Sequence, residues 1–379
     1  MKHKFVENQP VMNSATAVIH EFKTTDNNQQ EILNLADDAT RKTLFLTHPI
    51  VTKGYVMPTP PLKRVFDIVA RLILQRCSGC AFAAHPRFGK TSAIKYLAST
   101  LPESFPGVPI YSIIARKSRN NNPNTFHRAV FEDCGGICER KTDANAALKL
   151  LVRKWQVAAA SADVRQIVLL VDEAQRYTLD ELTYLADATN RFAADAFFAT
   201  VVCFGSTELS SIRDVAMLAS RGDLLGRFLT RFYAFDGIAS VHELQDVLKA
   251  YDDPDIAAYP PSNDWSFSRF FFPRAYRAGW RLAGEAGELW SAFDRIARER
   301  LGMKAHIPLN VGMEWVASTI EDALVDNSEC DPVNQPIRRE DWERAVRGSG
   351  FVESLGITYV PGQVPVAAPH NPTKKVQAT

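Results

Sequence analysis

The sequence lacks an excess of charge of either sign, since 44 lysines and arginines stand against 43 aspartates and glutamates, a net charge of +1. A uniformly basic surface for nucleic acid is therefore excluded, and any contact with DNA must come from a local basic patch. Long apolar runs are also missing, because IVLLV and AFFATVVCF are too short to span a bilayer and the N-terminal residues hold no apolar signal segment. These absences predict a soluble, cytoplasmic protein without a membrane partner.

Cysteine is scarce, and the six residues of this type are Cys77, Cys80, Cys134, Cys138, Cys203 and Cys330. Six are too few for a disulfide scaffold of this length, which favours a reducing compartment. The pairs Cys77/Cys80 and Cys134/Cys138 offer four sulfurs to a zinc ion, but their spacing departs from that of paired zinc knuckles. We favour the alternative that they are small buried residues.

What the chain does contain is a globular composition, with 46% hydrophobic and 23% charged residues over 379 positions. The pattern along it predicts four parts. A polar N-terminal extension, residues 1–60, is interpreted as an extended arm, and an α/β nucleotide-binding domain follows over residues 61–236. Residues 237–350 form a helical lid domain, and residues 351–379, rich in proline and small side chains, form a flexible tail.

The α/β assignment depends on the alternation of short apolar runs such as QIVLLVD and FATVVCFGS with amphipathic segments such as TSAIKYLASTL. Strands bracketed by helices predict a mostly parallel sheet with helices on both faces. After Asp236 the strand signal disappears and segments of helical periodicity follow. The predicted fold class is α/β with a smaller helical domain after it.

A phosphate-binding loop is predicted in FAAHPRFGKTSAIKYL, where an apolar strand, a loop and a helix follow one another. Ala84 stands in place of the first glycine of the pattern G-x-x-x-x-G-K-[ST], a substitution that costs the turn little. Lys90 would reach the β- and γ-phosphates of ATP, and Thr91 would hold Mg²⁺. The predicted nucleotide-binding residues of this segment are His85, Pro86, Arg87, Phe88, Gly89, Lys90, Thr91 and Ser92.

A second element is QIVLLVDEAQRY, an uncharged strand that ends in Asp172 and Glu173. Asp172 is predicted on the Mg²⁺ side of the nucleotide and Glu173 as the base that activates water. The next apolar strand ends in Ser206 and Thr207, whose hydroxyls would sense the attacking water or the γ-phosphate. These two residues equally suit the start of the following helix.

Several arginines are candidates for contacts with the phosphates. Phosphoryl-transfer sites often take an arginine from a neighbouring subunit, and Arg227 and Arg231, just before and inside the fifth strand, are predicted for this role, with Arg221 behind them. In the helical domain, Arg277 and Arg281 are predicted to fold back onto the nucleotide as a second sensor. A plain surface ion pair is the alternative for each of them.

Taken together, HPRFGKT, VLLVDEAQ, the strand ending GST, the arginine pair and the helical lid resemble an AAA+ ATPase over residues 62–324. The first two correspond to the Walker A and Walker B motifs. Within that group, THPIVTKGYVMPTPPLKRVFDIV, VDEAQ and CFGSTEL are similar to transposon-encoded regulators of the TnsC/TniB kind. The resemblance implies an ATP- and Mg²⁺-dependent hydrolase that assembles with itself, as rings or helical filaments, on double-stranded DNA. It also implies that a target selector is recognised and a transposase recruited, which makes the process a form of DNA recombination.

In such filaments the residues after the second strand track the DNA backbone, and here that segment reads IIARKSRNNNPNTFHR. Arg116, Lys117 and Arg119, with short polar neighbours, suit contacts with phosphates that carry no sequence choice. A solvated basic loop is the alternative. Aromatic side chains are scarce there, which favours duplex DNA over single strands.

Two other functions are compatible with the same motifs. A helicase-loader-like remodelling ATPase would share the ATP site but prefer single strands and a helicase partner. A nucleotide-gated scaffold with little hydrolysis is suggested by Ala84. Turnover and the choice between single- and double-stranded DNA separate these alternatives.

Overall fold

A computed structural model of the protein describes residues 35–117, 121–139, 142–261, 263–302, 308–329, 332 and 335–358. The described residues form a five-stranded parallel sheet between helices, followed by a domain made of helices. The strands are β1 (Gly79–Ala84), β2 (Ile110–Ile114), β3 (Gln166–Asp172), β4 (Phe198–Ser206) and β5 (Phe232–Ala234). Their order across the sheet is β2-β3-β4-β1-β5, which confirms the predicted fold class.

The helices connect and cover these strands. In chain order, the α-helical segments of the described ranges are α1 (Asp38–Phe45), α2 (Pro49–Thr52), α3 (Pro60–Leu74), α4 (Lys90–Ser104), α5 (Pro123–Asp133), α6 (Ala144–Ser161), α7 (Leu179–Ala193), α8 (Leu209–Leu218), α9 (Gly222–Leu224), α10 (Val241–Asp252), α11 (Phe267–Phe271), α12 (Pro273–Arg277), α13 (Ala286–Leu301), α14 (Met313–Asn327), α15 (Arg339–Gly348) and α16 (Phe351–Thr358). A wide helical turn, Leu225–Leu229, precedes β5. None of these helices combines the length and apolarity that a bilayer crossing requires.

The sheet is buried on both faces, because successive side chains of a strand point to opposite sides. In β3, Ile167, Leu169 and Val171 pack with α5, α6 and α7, whereas Val168 and Leu170 pack with α3 and α4. Since all five strands run in one direction, their carboxyl ends share one edge of the sheet. That edge receives the loop before α4 and the polar residues after β3 and β4.

The helical domain has its own core, to which α10 to α16 contribute. Residues 351–358, predicted as tail, form α16, whose Phe351 packs edge-on against Phe293 with ring centroids 4.9 Å apart. Residues 38–52, predicted as part of an extended arm, form α1 and α2 and pack on this same core. The physical reason in both cases is an apolar stripe on a short segment, which gains more from packing than from remaining extended.

His48 anchors the N-terminal segment to the helical domain. Its ring is fully buried, with centroids 4.6 to 4.8 Å from the rings of Tyr259, Phe267, Phe270 and Phe271. Its Nδ1 atom accepts a hydrogen bond from the Ile50 N–H at 3.1 Å, which caps α2. Burial lowers the pKa of His48 from 6.5 to about 3.

This depressed pKa predicts an acid-labile contact. Below about pH 6.5 the unfolded chain binds a proton that the folded His48 does not, so folding stability falls by about 1.4 kcal/mol per pH unit until about pH 3. Urea unfolding at pH 7 and pH 5 is expected to show a loss about 2 kcal/mol smaller for His48→Phe than for the wild type. Equal losses in the two proteins would contradict the prediction, and His242→Phe, on the first turn of α10, is the matched control.

Candidate functional site

The loop of residues 85–89 joins β1 to α4 at the carboxyl edge of the sheet. Gly89 directly precedes α4 and has a φ of 97°, a left-handed conformation that glycine adopts without strain. Phe88, only 2% exposed, anchors the loop in the core beside α3 and α4. The free N–H groups of the first turn of α4 therefore face a concave loop, which is the arrangement that binds phosphates.

Lys90 lies over this loop with little exposure to solvent. Its Nζ atom donates to the carbonyl oxygen of His85 at 3.3 Å. Burial lowers the pKa of Lys90, while the nearby carboxylates of Glu173 and Asp172 act in the opposite direction. Burial and the charge of Lys90 also lower the pKa of His85, while Asp236 acts in the opposite direction. The amine is thus held ready for an oxyanion bound in the loop.

Thr91 and Asp172 come from different elements and meet beside the loop. The Thr91 hydroxyl donates to Asp172 Oδ2 at 3.0 Å, and the Glu173 N–H donates to Asp172 Oδ1 at 2.8 Å, which fixes the carboxylate. Neighbouring oxygens around an octahedral Mg²⁺ with bonds of about 2.1 Å lie about 3.0 Å apart. The two side chains therefore fit a Mg²⁺ ion.

Glu173 follows β3 in a left-handed turn with a φ of 55°. Its Oε2 atom accepts from Gln175 Nε2 at 2.9 Å and lies 3.2 Å from Arg176 Nη2. Gln175 Oε1 in turn accepts from the Ser206 N–H at 3.0 Å. Gln175 thereby connects the ends of β3 and β4 and orients the carboxylate, a role that the sequence analysis missed although VDEAQ contains the residue.

Gly205 makes room for this connection. A Cβ atom at Gly205 would lie 2.9 Å from Gln175 Oε1 and 3.0 Å from a methyl group of Leu209. The small residue before Ser206 is therefore the sequence signal for a side chain that crosses between the two strand ends.

Removal of the Gln175 side chain is expected to slow ATP hydrolysis with little loss of nucleotide binding. Gln175→Ala leaves Glu173 with Arg176 as its remaining described partner and leaves the Ser206 N–H without its acceptor. We expect ATP turnover to fall about tenfold, because about 1.4 kcal/mol of positioning is lost. Gln156→Ala, which removes an exposed amide paired with Asp195, is the control. Unchanged turnover would show that Glu173 is positioned without Gln175.

The hydroxyl of Ser206 accepts a weak hydrogen bond from the Glu208 N–H at 3.3 Å, and the Thr207 carbonyl accepts from Ser210 Oγ at 2.6 Å. Both residues thus take part in the turn that starts α8. The Ser206 N–H is also hydrogen-bonded to Gln175. A sensor role for Ser206 and Thr207 therefore stays a proposal.

A cavity of about 400 Å³ adjoins the loop and lies between it and the helical domain. Its walls are largely apolar and include Val56, Met57, Phe88, Met313 and Ala317. A largely apolar cavity of this size beside a phosphate loop fits the base and ribose of a nucleotide. These wall residues could not be assigned from the sequence, since local periodicity shows only that they are apolar.

The helical domain contacts the loop through the start of α14. A Cβ atom at Gly312 would lie 3.0 Å from the Phe88 ring and 3.1 Å from the Arg87 carbonyl oxygen. The Glu314 N–H donates to that carbonyl at 3.3 Å, and the Arg87 and Glu314 side chains pair at 3.0 Å. Nucleotide contacts of the helical domain are therefore expected from α14.

Arg277 and Arg281 occupy a different place. Arg281 lies 3.6 Å over the ring of Tyr276 and donates to the carbonyls of Tyr276 and Trp280. Arg277 lines a small cavity together with Arg281 and Tyr276. The role of Arg277 and Arg281 as a second sensor stays a prediction.

Arg227 lies in the wide turn before β5, and Arg231 directly precedes β5 rather than lying inside it as predicted. A Cβ atom at Gly79, the first residue of β1, would lie 2.8 Å from the Arg227 carbonyl. Arg227 is thus at the amino edge of the sheet, a full strand away from the loop. The role of Arg227 towards a neighbouring subunit stays a prediction. Arg221 is committed within its own chain to Asp223 at 2.8 Å and Thr183 at 2.9 Å.

The basic segment after β2 carries less free charge than predicted. Arg116 forms two hydrogen bonds with Asp133, at 2.6 and 2.9 Å, and this partner raises the pKa of Arg116. Lys117 is exposed, and Arg119 lies outside the described residues. Arg116 and Lys117 both face solvent, and Lys117 has no ion pair within the described residues.

The cysteines are spread over separate elements. Cys80 and Cys203 are buried in the neighbouring strands β1 and β4, and the Cys134 sulfur accepts from Trp155 Nε1 at 3.4 Å. Across the described ranges no three metal-binding side chains gather. Cys330 lies outside those ranges.

Residues 74–212 match the protein family described as AAA domain, a range that contains the loop, Asp172, Glu173 and β4. Among solved structures the chain is similar to the ORC2 protein of Aeropyrum pernix in ADPNP–ADP complexes, with a TM-score of 0.50 and 14% identity over 79% of this chain and 71% of that one. At this identity the likeness shows the fold alone, which is that of an AAA+ P-loop NTPase.

Weaker similarities extend to domain III of the Thermotoga maritima replication initiation protein DnaA (TM-score 0.40, 11% identity, 78% of this chain and 95% of that one). They also extend to Drosophila ORC bound to poly(dA/dT) DNA and Cdc6 (TM-score 0.39, 12% identity, 84% and 47%). The aligned part thus spans less than half of that Drosophila chain. No curated protein matches.

Proposed function

We propose that this protein is an ATP-dependent AAA+ regulator of DNA transposition. It oligomerises on double-stranded DNA and links target selection to the recruitment and activation of a transposase. The observation that carries the ATPase part is the network at the carboxyl edge of the sheet. There Thr91 meets Asp172 at 3.0 Å, and Gln175 connects Glu173 to β4 at 2.9 and 3.0 Å.

The roles in hydrolysis follow from these positions. Lys90 and the first turn of α4 bind the β- and γ-phosphates, and the cavity beside α14 holds the base. Thr91 and Asp172 hold Mg²⁺, which when bound neutralises charge on the phosphate oxygens. Glu173 takes a proton from the attacking water, and Gln175 keeps its carboxylate in place.

Self-assembly is supported by the surface that leads to Arg227. The last turns of α8 expose Val215, Met217 and Leu218, which are 52%, 48% and 87% exposed. A second copy that covers these side chains would bring Arg227 towards its own phosphate loop. Such a site is complete only between two copies, which explains why a phosphate-directed arginine lies so far from the loop of its own chain.

The DNA and transposition parts are supported by the exposed Lys117 after β2 and by the resemblance of VDEAQ and CFGSTEL to the TnsC/TniB regulators. Lys117 and the amides of Asn121 and Asn122 line a groove between β2 and α5. These groups suit phosphates rather than bases, so binding is expected without sequence choice and with a strong dependence on salt.

Electron microscopy of the full chain with duplex DNA and ATP, ADP or no nucleotide tests this function. Rings or filaments that form on duplex with ATP are expected. Monomers under every condition would refute self-assembly, and the addition of the transposase from a neighbouring gene, with strand-transfer products as the readout, tests the regulatory role.

A helicase-loader-like role is the second candidate, favoured by the fold likeness to the ORC2 protein. Competition between single- and double-stranded oligonucleotides of equal length separates the two. Preference for the duplex supports the transposition regulator, and preference for the single strand supports the loader.

A further inference from the structure

A small cavity on the helical domain is surrounded by arginines. Trp265, Arg269, Pro273, Tyr276, Arg277 and Arg281 line it, and these six residues define the arginine pocket. None of them lines the nucleotide cavity beside the phosphate loop. The arginine pocket is therefore a separate place in the molecule.

The positive charge of this pocket is only partly matched. No carboxylate is among the lining residues in the described part of the chain. Arg269 pairs with Asp264 at 3.4 Å, although the Asp264 side chain is 80% exposed, and the carboxylate of Asp252 acts electrostatically on Arg281. Arg277 has no ion pair among the described residues, so three guanidiniums around one small cavity favour the entry of an oxyanion.

Two of the three guanidiniums are held in place by aromatic rings. Arg269 lies 4.4 Å from the centre of the Trp265 ring, and Arg281 lies 3.6 Å from the centre of the Tyr276 ring. Stacking of this kind fixes the plane of a guanidinium. The described hydrogen bonds of Arg281, to the carbonyls of Tyr276 and Trp280, use Nη1 alone, so its other N–H groups can serve a ligand. Arg277 is exposed at the rim. The pocket thus presents donors that are already oriented.

We propose that the arginine pocket binds a backbone phosphate of nucleic acid. A phosphate presents oxygens in several directions, which suits donors that converge from three positions, whereas a carboxylate presents two oxygens in one plane. A base is disfavoured, because Arg269 and Arg281 already cover ring faces of Trp265 and Tyr276 on which it would stack. The pocket would add a second anchor to the DNA contacts of the segment after β2.

Fluorescence anisotropy of a labelled DNA duplex tests this anchor in the full chain over a series of salt concentrations. Arg277→Ala is the main variant, since within the described residues Arg277 forms no ion pair. We expect about five-fold weaker binding and a salt slope lower by about 1. Arg277→Glu is expected to weaken binding further. Arg347→Ala, an exposed arginine of α15 paired with Glu299, is the control. Equal behaviour of Arg277→Ala and this control would overturn the proposal.

A second measurement separates the pocket from the proposed function. In a Lys90→Ala background, calorimetric titration with inorganic pyrophosphate is expected to show binding that Arg277→Ala abolishes. This result supports the pocket even where the wild type binds no duplex. Absence of pyrophosphate binding, or displacement of the duplex by polyglutamate while pyrophosphate has no effect, would overturn it in favour of an acidic protein partner.

Discussion

Replacement of Glu173 by glutamine is expected to lower ATP turnover by about two to four orders of magnitude while nucleotide binding is retained. The side chain is held by Gln175 and Arg176 at the end of β3, next to the carboxylate of Asp172 that fits Mg²⁺. Glutamine keeps the size and the hydrogen bond of the side chain, but its neutral amide cannot accept a proton from water. The loss therefore falls on the chemical step.

Phosphate release and the affinity for a fluorescent ATP analogue measure the two effects separately. Glu208→Gln is the matched control, because Glu208 is an exposed carboxylate near the same edge of the sheet. Equally slow release by the wild type and by Glu173→Gln would identify the protein as a nucleotide-gated scaffold. That outcome would link the missing activity to Ala84, the last residue of β1 before the phosphate loop.

Replacement of Arg227 by alanine is expected to lower turnover of the assembled protein by about three orders of magnitude. Arg227 lies at the amino edge of the sheet next to Gly79, far from the phosphate loop of its own chain, and the proposed function assigns its guanidinium to phosphates held by a second copy. Arg221→Ala is the matched control, because Arg221 is already paired with Asp223 and Thr183 in its own chain. Turnover of Arg221→Ala is expected to stay within about threefold of the wild type.

Mixing two inactive variants tests whether Arg227 acts between copies. An Arg227→Ala subunit retains a complete phosphate loop and Glu173, and a Glu173→Gln subunit retains Arg227. Mixed assemblies therefore contain interfaces with every group in place, and turnover is expected to recover to about a quarter of the wild-type value if the two variants mix at random. No recovery on mixing would contradict a role of Arg227 between copies.

The sequence could predict the fold and the grouping of the main site residues for one physical reason. In a parallel sheet the carboxyl ends of all strands share an edge, so the residues that follow apolar runs meet there. Thr91 and Asp172 are 81 positions apart and lie 3.0 Å from one another. The direction of the strands alone was enough to predict that these two residues lie close together.

Other features depend on the packing of helices, which local periodicity does not encode. The helix of the helical domain that contacts the phosphate loop is α14, which begins with Met313 and Glu314, and Glu314 pairs with Arg87. Arg116 pairs with Asp133, the last residue of α5. In both cases the partner of the arginine follows from tertiary structure and not from its neighbours in the chain.

In the described part of the chain, the backbone crosses between the helical domain and the α/β domain at two places. The first passage follows Tyr55, which hydrogen-bonds Tyr251 and Glu321, and leads into α3. The second follows β5, where the Gly237 N–H donates to Asn310 Oδ1 at 2.8 Å. A domain joined to its neighbour by one connection can rotate in any direction. A domain joined by two connections rotates mainly about the line between them, which is a hinge motion. Met57 and Phe235 of these passages both line the nucleotide cavity. The bound base would therefore lie on the axis that joins the two crossings. A small change in the size of the group bound there would then become a large displacement at the far end of the helical domain.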